Sequence, residues 1–224
     1  MCGRFRLSRA DQLANKFGID QFDEMPARYN IAPTQDVVAV RQWPDRPGRH
    51  ASILRWGLIP YWAKDPNIGS KLINARAETA AEKPAFREAL LRRRCIVPCD
   101  GFYEWKREGK LKRPFCITVD DGALFGMAGL WERWKAPDGK MVESCAIVTT
   151  TPNDLVAELH DRMPAILSEE AYELWLDPGF KDVATLSEVL SPFDARRMRK
   201  YEVSDRVNRV ENDDPACAEA VSLF

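Results

Sequence analysis

The 224-residue chain carries 33 basic and 34 acidic side chains, a net charge of −1, and 45% hydrophobic residues. That is enough apolar material for one sizeable core. The charge balance excludes a protein that binds nucleic acid by bulk attraction and leaves room only for local basic patches.

No apolar run reaches the length of a membrane span, and the first ten residues contain Arg4, Arg6 and Arg9 but no apolar stretch behind them. A signal peptide is therefore not expected. The cysteines stand at 2, 95, 99, 116, 145 and 217, three of them in strand-like apolar segments. This pattern reads as a reduced cytoplasmic protein without structural disulfides. Only His50 and His160 are available as imidazole ligands, and the Cys95-x3-Cys99 spacing has no second pair. Neither a metal nor a cofactor is expected.

In chain order, Ser8 and Asp11 before Leu13, Ala14 and Phe17 predict a short capped helix ended by Gly18. Residues 26–34 read as a loop and 36–40 as a strand. Residues 42–49 read as a Pro-rich turn, and a second strand spans 51–59. Residues 72–78 read as a loop, with Asn74 as a helix N-cap. Pro84 opens a helix through residue 93. Then come strands separated by turn signals, at 95–97, 102–106, 114–119, 124–131 and 142–149, with Glu108-Gly109 as a hairpin candidate. Helices are expected after Pro152, after Ser168 and over 182–190, and a last strand at 201–203. Clustered strands with outlying helices predict a single α+β domain over 1–208, with a mostly antiparallel, barrel-like β core and peripheral helices. A polar, frayed tail is expected at 209–224.

Cys2 is the most informative residue. Once Met1 is removed, it offers an α-amine and a thiol on adjacent carbons. Their reference pKa values, about 8 and 8.5, leave both partly nucleophilic near neutrality. An amine forms an imine with an aldehyde, and a neighbouring thiol closes on the imine carbon to give a thiazolidine. Glu104 lies among aromatics in Phe102-Tyr103-Glu104-Trp105, where desolvation raises a carboxyl pKa and suits acid–base work. Plain strand alternation would explain it as well. His160 follows a helix in Leu159-His160-Asp161-Arg162-Met163-Pro164. The helix end and Asp161 predict a raised pKa. Arg76 has the fork that suits phosphate, though a solvated arginine reads the same way. Basic runs at 92–94, 106–113 and 196–200 are solvated faces unless an exposed aromatic such as Trp62 makes one a stacking platform.

Six blocks then share one pattern: Met-Cys-Gly-Arg-Phe at 1–5, Arg-Tyr-Asn-Ile-Ala-Pro at 28–33, Trp-Gly-Leu-Ile-Pro-Tyr-Trp at 56–62, Leu-Ile-Asn-Ala-Arg-Ala-Glu-Thr at 72–79, Cys-Ile-Val-Pro-Cys-Asp-Gly-Phe-Tyr-Glu-Trp-Lys at 95–106, and His-Asp-Arg-Met-Pro at 160–164. In that order they resemble the SRAP family (SOS-response-associated peptidase, or abasic-site processing proteins). The resemblance implies that Cys2, after trimming, crosslinks to abasic sites in single-stranded DNA, with Asn74, Glu104 and His160 as its catalytic partners. It implies DNA contacts at Arg4, Trp62, Arg76 and Arg162. It also implies self-removal of Met1 and a cytoplasmic monomer that joins the nucleoid when bound to DNA. Ala63 departs from the pattern, which favours a bulky residue there.

A different class also begins Met-Cys-Gly. In an N-terminal-nucleophile amidohydrolase of the glutaminase type, Cys2 would attack an amide with its own amine as base. The later blocks do not resemble that class, and ammonia release from glutamine separates the two.

Overall fold

A computed structural model of the protein describes residues 2–20 and 25–221. Met1 and residues 222–224, the last of the expected tail, lie outside the described residues.

Among the described residues, thirteen strands appear in chain order. They are β1 (Phe5–Leu7), β2 (Arg28–Ile31), β3 (Asp36–Trp43), β4 (Arg46–Trp56), β5 (Asn74–Arg76), β6 (Arg94–Cys99), β7 (Gly101–Glu108), β8 (Leu111–Val119), β9 (Phe125–Lys135), β10 (Met141–Thr150), β11 (Met163–Pro164), β12 (Ile166–Leu167) and β13 (Met198–Glu202). Six short helices lie between them: α1 (Leu13–Phe17), α2 (Ala77–Ala80), α3 (Arg87–Arg92), α4 (Asp154–Ala157), α5 (Ala171–Leu176) and α6 (Val183–Glu188).

Strands β10, β4, β3, β6 and β9 pair in that order, and β9 pairs back onto β10, so five strands close into a barrel. All its pairings are antiparallel except β4 with β10, where Ser144 faces Arg55 and Cys145 faces Trp56. Closure explains the sequence pattern. Runs such as Val37–Val40 and Ala146–Val148 are buried on both faces and so lose the alternation of a half-exposed strand. The expected barrel-like α+β core is what forms. A second, antiparallel sheet in the order β13-β8-β7-β1-β2 lies beside it.

Several local expectations give way to the tertiary structure. The Pro-rich turn is two strands joined tightly, with Trp43 opposite Arg46. Ser8 caps no helix, because its hydroxyl and N–H both go to Asp100. Asn74 lies in a strand, because β5 adds to β10 in parallel, Asn74 facing Ile147. Gly57 and Gly69 permit this. A side chain on Gly57 would place its first carbon 2.7 Å from the Gly69 carbonyl oxygen, and Gly57 has φ +129°. The 58–72 loop can therefore fold back on itself and deliver Asn74.

Two buried polar knots hold the ends of the chain. Asp100 is fully buried. One oxygen accepts from Ser8 N, Ser8 Oγ and Arg9 N at 2.7–2.9 Å, and the other pairs with Arg6 Nε at 2.8 Å. Asn30, also fully buried, donates to the carbonyls of Val207, Arg209 and Asn212. Asp213 accepts from the N–H groups of Tyr29 and Asn30 and pairs with Arg28. Residues 209–221 are thus built into the domain, with Cys217 in a small core beside Tyr103, Cys116, Val203 and Val207. The expectation of a frayed tail there fails because side chains of β2, not hydrophobic periodicity, bind it. Replacing Asp100 by Ala should cost about 3 kcal/mol, since it strands Arg6 and three donors. Urea unfolding of D100A measures this, and a loss below 1 kcal/mol (the size of an exposed pair) would contradict it.

Candidate functional site

The pairing of β1 with β7 sets Phe5 opposite Phe102, and Tyr103 N donates to Arg4 O at 2.9 Å. Continuing that antiparallel register brings Cys2 and Gly3 alongside Glu104 and Trp105. From the other side, Asn74 Nδ2 donates to the Cys2 carbonyl at 2.9 Å. The chain start is therefore gripped between β5 of one sheet system and β7 of the other.

Cys2 is fully buried in this Met1-bearing chain. Burial pushes its thiol well up, and the Glu104 charge adds to the effect. A thiolate forms there only if a neighbour takes the proton. Glu104, 3% exposed, is held near such a task. Burial pushes its carboxyl up to about 7, with Asp161 contributing in the same direction. The aromatic setting of Glu104 thus has the expected electrostatic consequence. Strand alternation holds as well: Phe102 packs in the main core, Tyr103 and Trp105 in the smaller one across the strand, and Glu104 is buried because both faces of β7 are covered.

His160 ends the turn after α4, its N–H bonded to Val156 O. Its Nδ1 lies 3.0 Å from Arg162 N and 2.8 Å from Asp161 Oδ1. The expected upward shift is not what results. Burial lowers the His160 pKa and outweighs Asp161, whose side chain is 86% exposed and therefore screened by water. Nδ1 can accept from the Arg162 N–H only while it carries a lone pair.

Two clefts open on either side of Cys2, and their chemistry differs. One, of about 820 Å³, runs from Glu104 and His160 along Trp105, Lys106, Arg107 and Lys112. Glu158, Leu159, Asp161 and Asn208 complete its lining. The other, of about 580 Å³, is apolar. It runs from Asn74 past Leu72, Ile68 and Phe86 to Trp62, with Arg76 and Lys83 at its rim. Trp62 is 48% exposed on a turn that Trp134 Nε1 pins by donating to Ala63 O. The site thus gathers Cys2, Asn74, Glu104 and His160, with Trp62 and Arg76 on the apolar side.

The other two arginines have protein partners. Arg4 donates to Asn30 Oδ1 and Val207 O. Arg162, its side chain 12% exposed, is bound by both oxygens of Glu78 and by Thr149 O. Sequence reasoning missed Glu78 and Thr149, whose contacts span the fold. It noted the cations of residues 106–113 but not their place, which the β7–β8 pairing decides.

The model of the SOS response associated peptidase (SRAP) family matches residues 1–210, and the chain belongs to that family. The chain is 46% identical to the abasic site processing protein YoqW of Bacillus subtilis strain 168, over 98% of this chain and 100% of that one. It is 35% identical to the abasic site processing protein HMCES of Mus musculus, over 76% of this chain and 57% of that longer one. Among solved structures, a protein from Bacteroides thetaiotaomicron superposes with a TM-score of 0.89 at 32% identity, covering 99% of this chain and 100% of that one.

A carboxyl whose pKa is raised by folding destabilises the native state once it ionises. In the unfolded chain Glu104 loses its proton near 4.5, and in the folded protein near 7. Between these values the native state binds more protons, so stability falls as pH rises. E104Q should therefore gain on the order of 2–3 kcal/mol relative to wild type between pH 5 and pH 8. Parallel urea stabilities for the two proteins at both pH values would show an ordinary carboxyl instead.

Proposed function

We propose that the protein captures abasic sites in single-stranded DNA through a covalent bond to Cys2. The observation that carries this reading is the chain start held by Asn74, against a buried carboxyl that titrates near neutrality, between two clefts. The names of the relatives, abasic site processing proteins, support the substrate.

Hydrolysis of the Met1–Cys2 peptide bond comes first and frees the amine. The family's peptidase description supports self-removal of Met1, with Cys2 and its acid–base neighbours as the agents. An abasic deoxyribose opens to its aldehyde, and the Cys2 amine adds to that carbon. Glu104 in its acid form protonates the resulting hydroxyl, which leaves as water and gives the iminium, its nitrogen keeping one hydrogen. Glu104, now the carboxylate, accepts the Cys2 thiol proton. The sulfur then adds to the iminium carbon, whose electron pair returns to the nitrogen, and Glu104 is left in its acid form. The net change is one thiazolidine formed and one water released. A carboxyl near pKa 7 serves both half-steps at neutral pH, where an ordinary glutamate would serve only as base. Asn74 fixes the reacting residue, and His160, neutral and donating from Nε2, is a second proton carrier toward strand elimination or reversal of the link.

The strand crosses Cys2 from one cleft to the other. Bases stack on Trp62 and the apolar groove, and Arg76 meets phosphate at its rim. Arg4 and Arg162 shape the path while holding their protein partners. Lys106, Arg107 and Lys112 receive the backbone on the Glu104 side. The reading carries with it a cytoplasmic monomer that joins the nucleoid when bound.

Trimmed protein mixed with single-stranded DNA bearing one abasic site should give a band that survives denaturing electrophoresis, with a mass equal to the sum of the two less one water. C2A should give no stable band, and a trimmed wild type that gives none sinks the reading. R107Q/K112Q should lower the slope of log affinity against log salt for undamaged single strands by about 1.4, at roughly 0.7 per lost phosphate contact. An unchanged slope removes that cleft from the DNA path.

A further inference from the structure

Arg162 stands where the two halves of the site meet. Its Nη1 and Nη2 donate to Glu78 Oε1 and Oε2 at 2.7 and 2.9 Å, and Nη2 also reaches Thr149 O at 2.5 Å. Glu78 lies in α2, directly after the strand that carries Asn74 and Arg76. Thr149 lies on β10, which pairs with β5 on one side and β11 on the other. The main-chain N–H of the same Arg162 donates to His160 Nδ1. One residue thus ties the Asn74 segment to the His160 segment by its side chain, and sets the His160 ring by its backbone.

That backbone contact has a competitor. Asp161 Oδ1 is 2.8 Å from the same Nδ1 and can accept a hydrogen bond from it only when Nδ1 carries a proton. The two demands are opposite: the Arg162 N–H requires a lone pair on Nδ1, and the Asp161 carboxylate requires a hydrogen there. The other charged groups lining the cleft with His160 are Glu158, Glu104, Lys106, Arg107 and Lys112. Which tautomer prevails depends on how firmly residue 162 is held. The firmest hold on its side chain is a bidentate carboxylate.

We propose that Glu78 is a positioning residue of this site: by clamping Arg162 it keeps that residue's main-chain N–H on His160 Nδ1 and the imidazole proton on Nε2. Glu78 touches no substrate in this role. It acts through Arg162, as an outer partner fixes a ligating or catalytic histidine elsewhere. The tautomer claim stands on the geometry alone. Its kinetic consequence rests on the abasic-site reading given above.

The test uses the full chain. The protein has two histidines, so two-bond ¹⁵N–¹H correlation at pH 8 resolves each ring. Wild-type His160 should show the Nε2–H pattern. E78Q, which can offer Arg162 only one oxygen, should show a mixture with Nδ1–H, and E78D, which keeps both oxygens, should stay closer to wild type. Thermal melts establish that the variants are folded. If E78Q does not fold, E78D against wild type decides. On abasic single-stranded DNA at saturation, adduct formation by E78Q should slow about 10-fold, the size expected for a sub-ångström displacement of an acid–base group. The double variant E78Q/R162M should be no slower than R162M alone, because the two residues act as one unit. A folded E78Q whose His160 keeps a pure Nε2–H pattern overturns the proposal, as does strict additivity of the two substitutions. If the wild type forms no adduct, the function reading fails while the tautomer measurement still decides this one.

Discussion

The antiparallel pairing of β1 with β7 is the contact on which the rest of the site depends. It is only a few residues long, yet it sets the chain start against Glu104 and leaves Cys2 to be gripped by Asn74. So short a strand has little pairing energy of its own. Its place is secured by Asp100, which ties the segment immediately after it through three hydrogen bonds and an ion pair. A buried carboxylate is an expensive way to fix a backbone. Here it specifies a unique register, since a slip of one residue would turn every side chain of β1 to the opposite face.

Electrostatics in the site follows from burial more than from pairing. Cys2, Glu104 and His160 are all shifted toward their neutral forms, and in each case desolvation is the first cause. Burial, and not an opposing ion, therefore sets the protonation of all three. The cations are kept at a distance, along the cleft walls. A chain with net charge −1 can still guide a polyanion if its cations line one path. Covalent capture removes the need for high equilibrium affinity, so a near-neutral surface is consistent with the proposed chemistry.

What the sequence disclosed and what it hid divide along the range of the interactions. Strands such as β3 and β8 are legible because their β-branched runs and flanking turns are local. The helix end at Gly18 is legible because its left-handed backbone calls for glycine. Asn74 was misplaced as a cap, since its strand exists only by adding to β10, more than seventy residues away. The anchoring of residues 209–221 was missed for the same reason: Asn30 and Asp213 are polar and leave no periodic trace. Glu104 was recognisable from its aromatic neighbours. The sign at His160 was not, because a sequence shows Asp161 beside it but not that Asp161 points into water.

The knot formed by Asn30, Arg4 and residues 207–213 joins the two ends of the polypeptide. Arg4 and Val207 stand 203 positions apart, so this contact closes a very long loop and forms only after most of the intervening fold is in place.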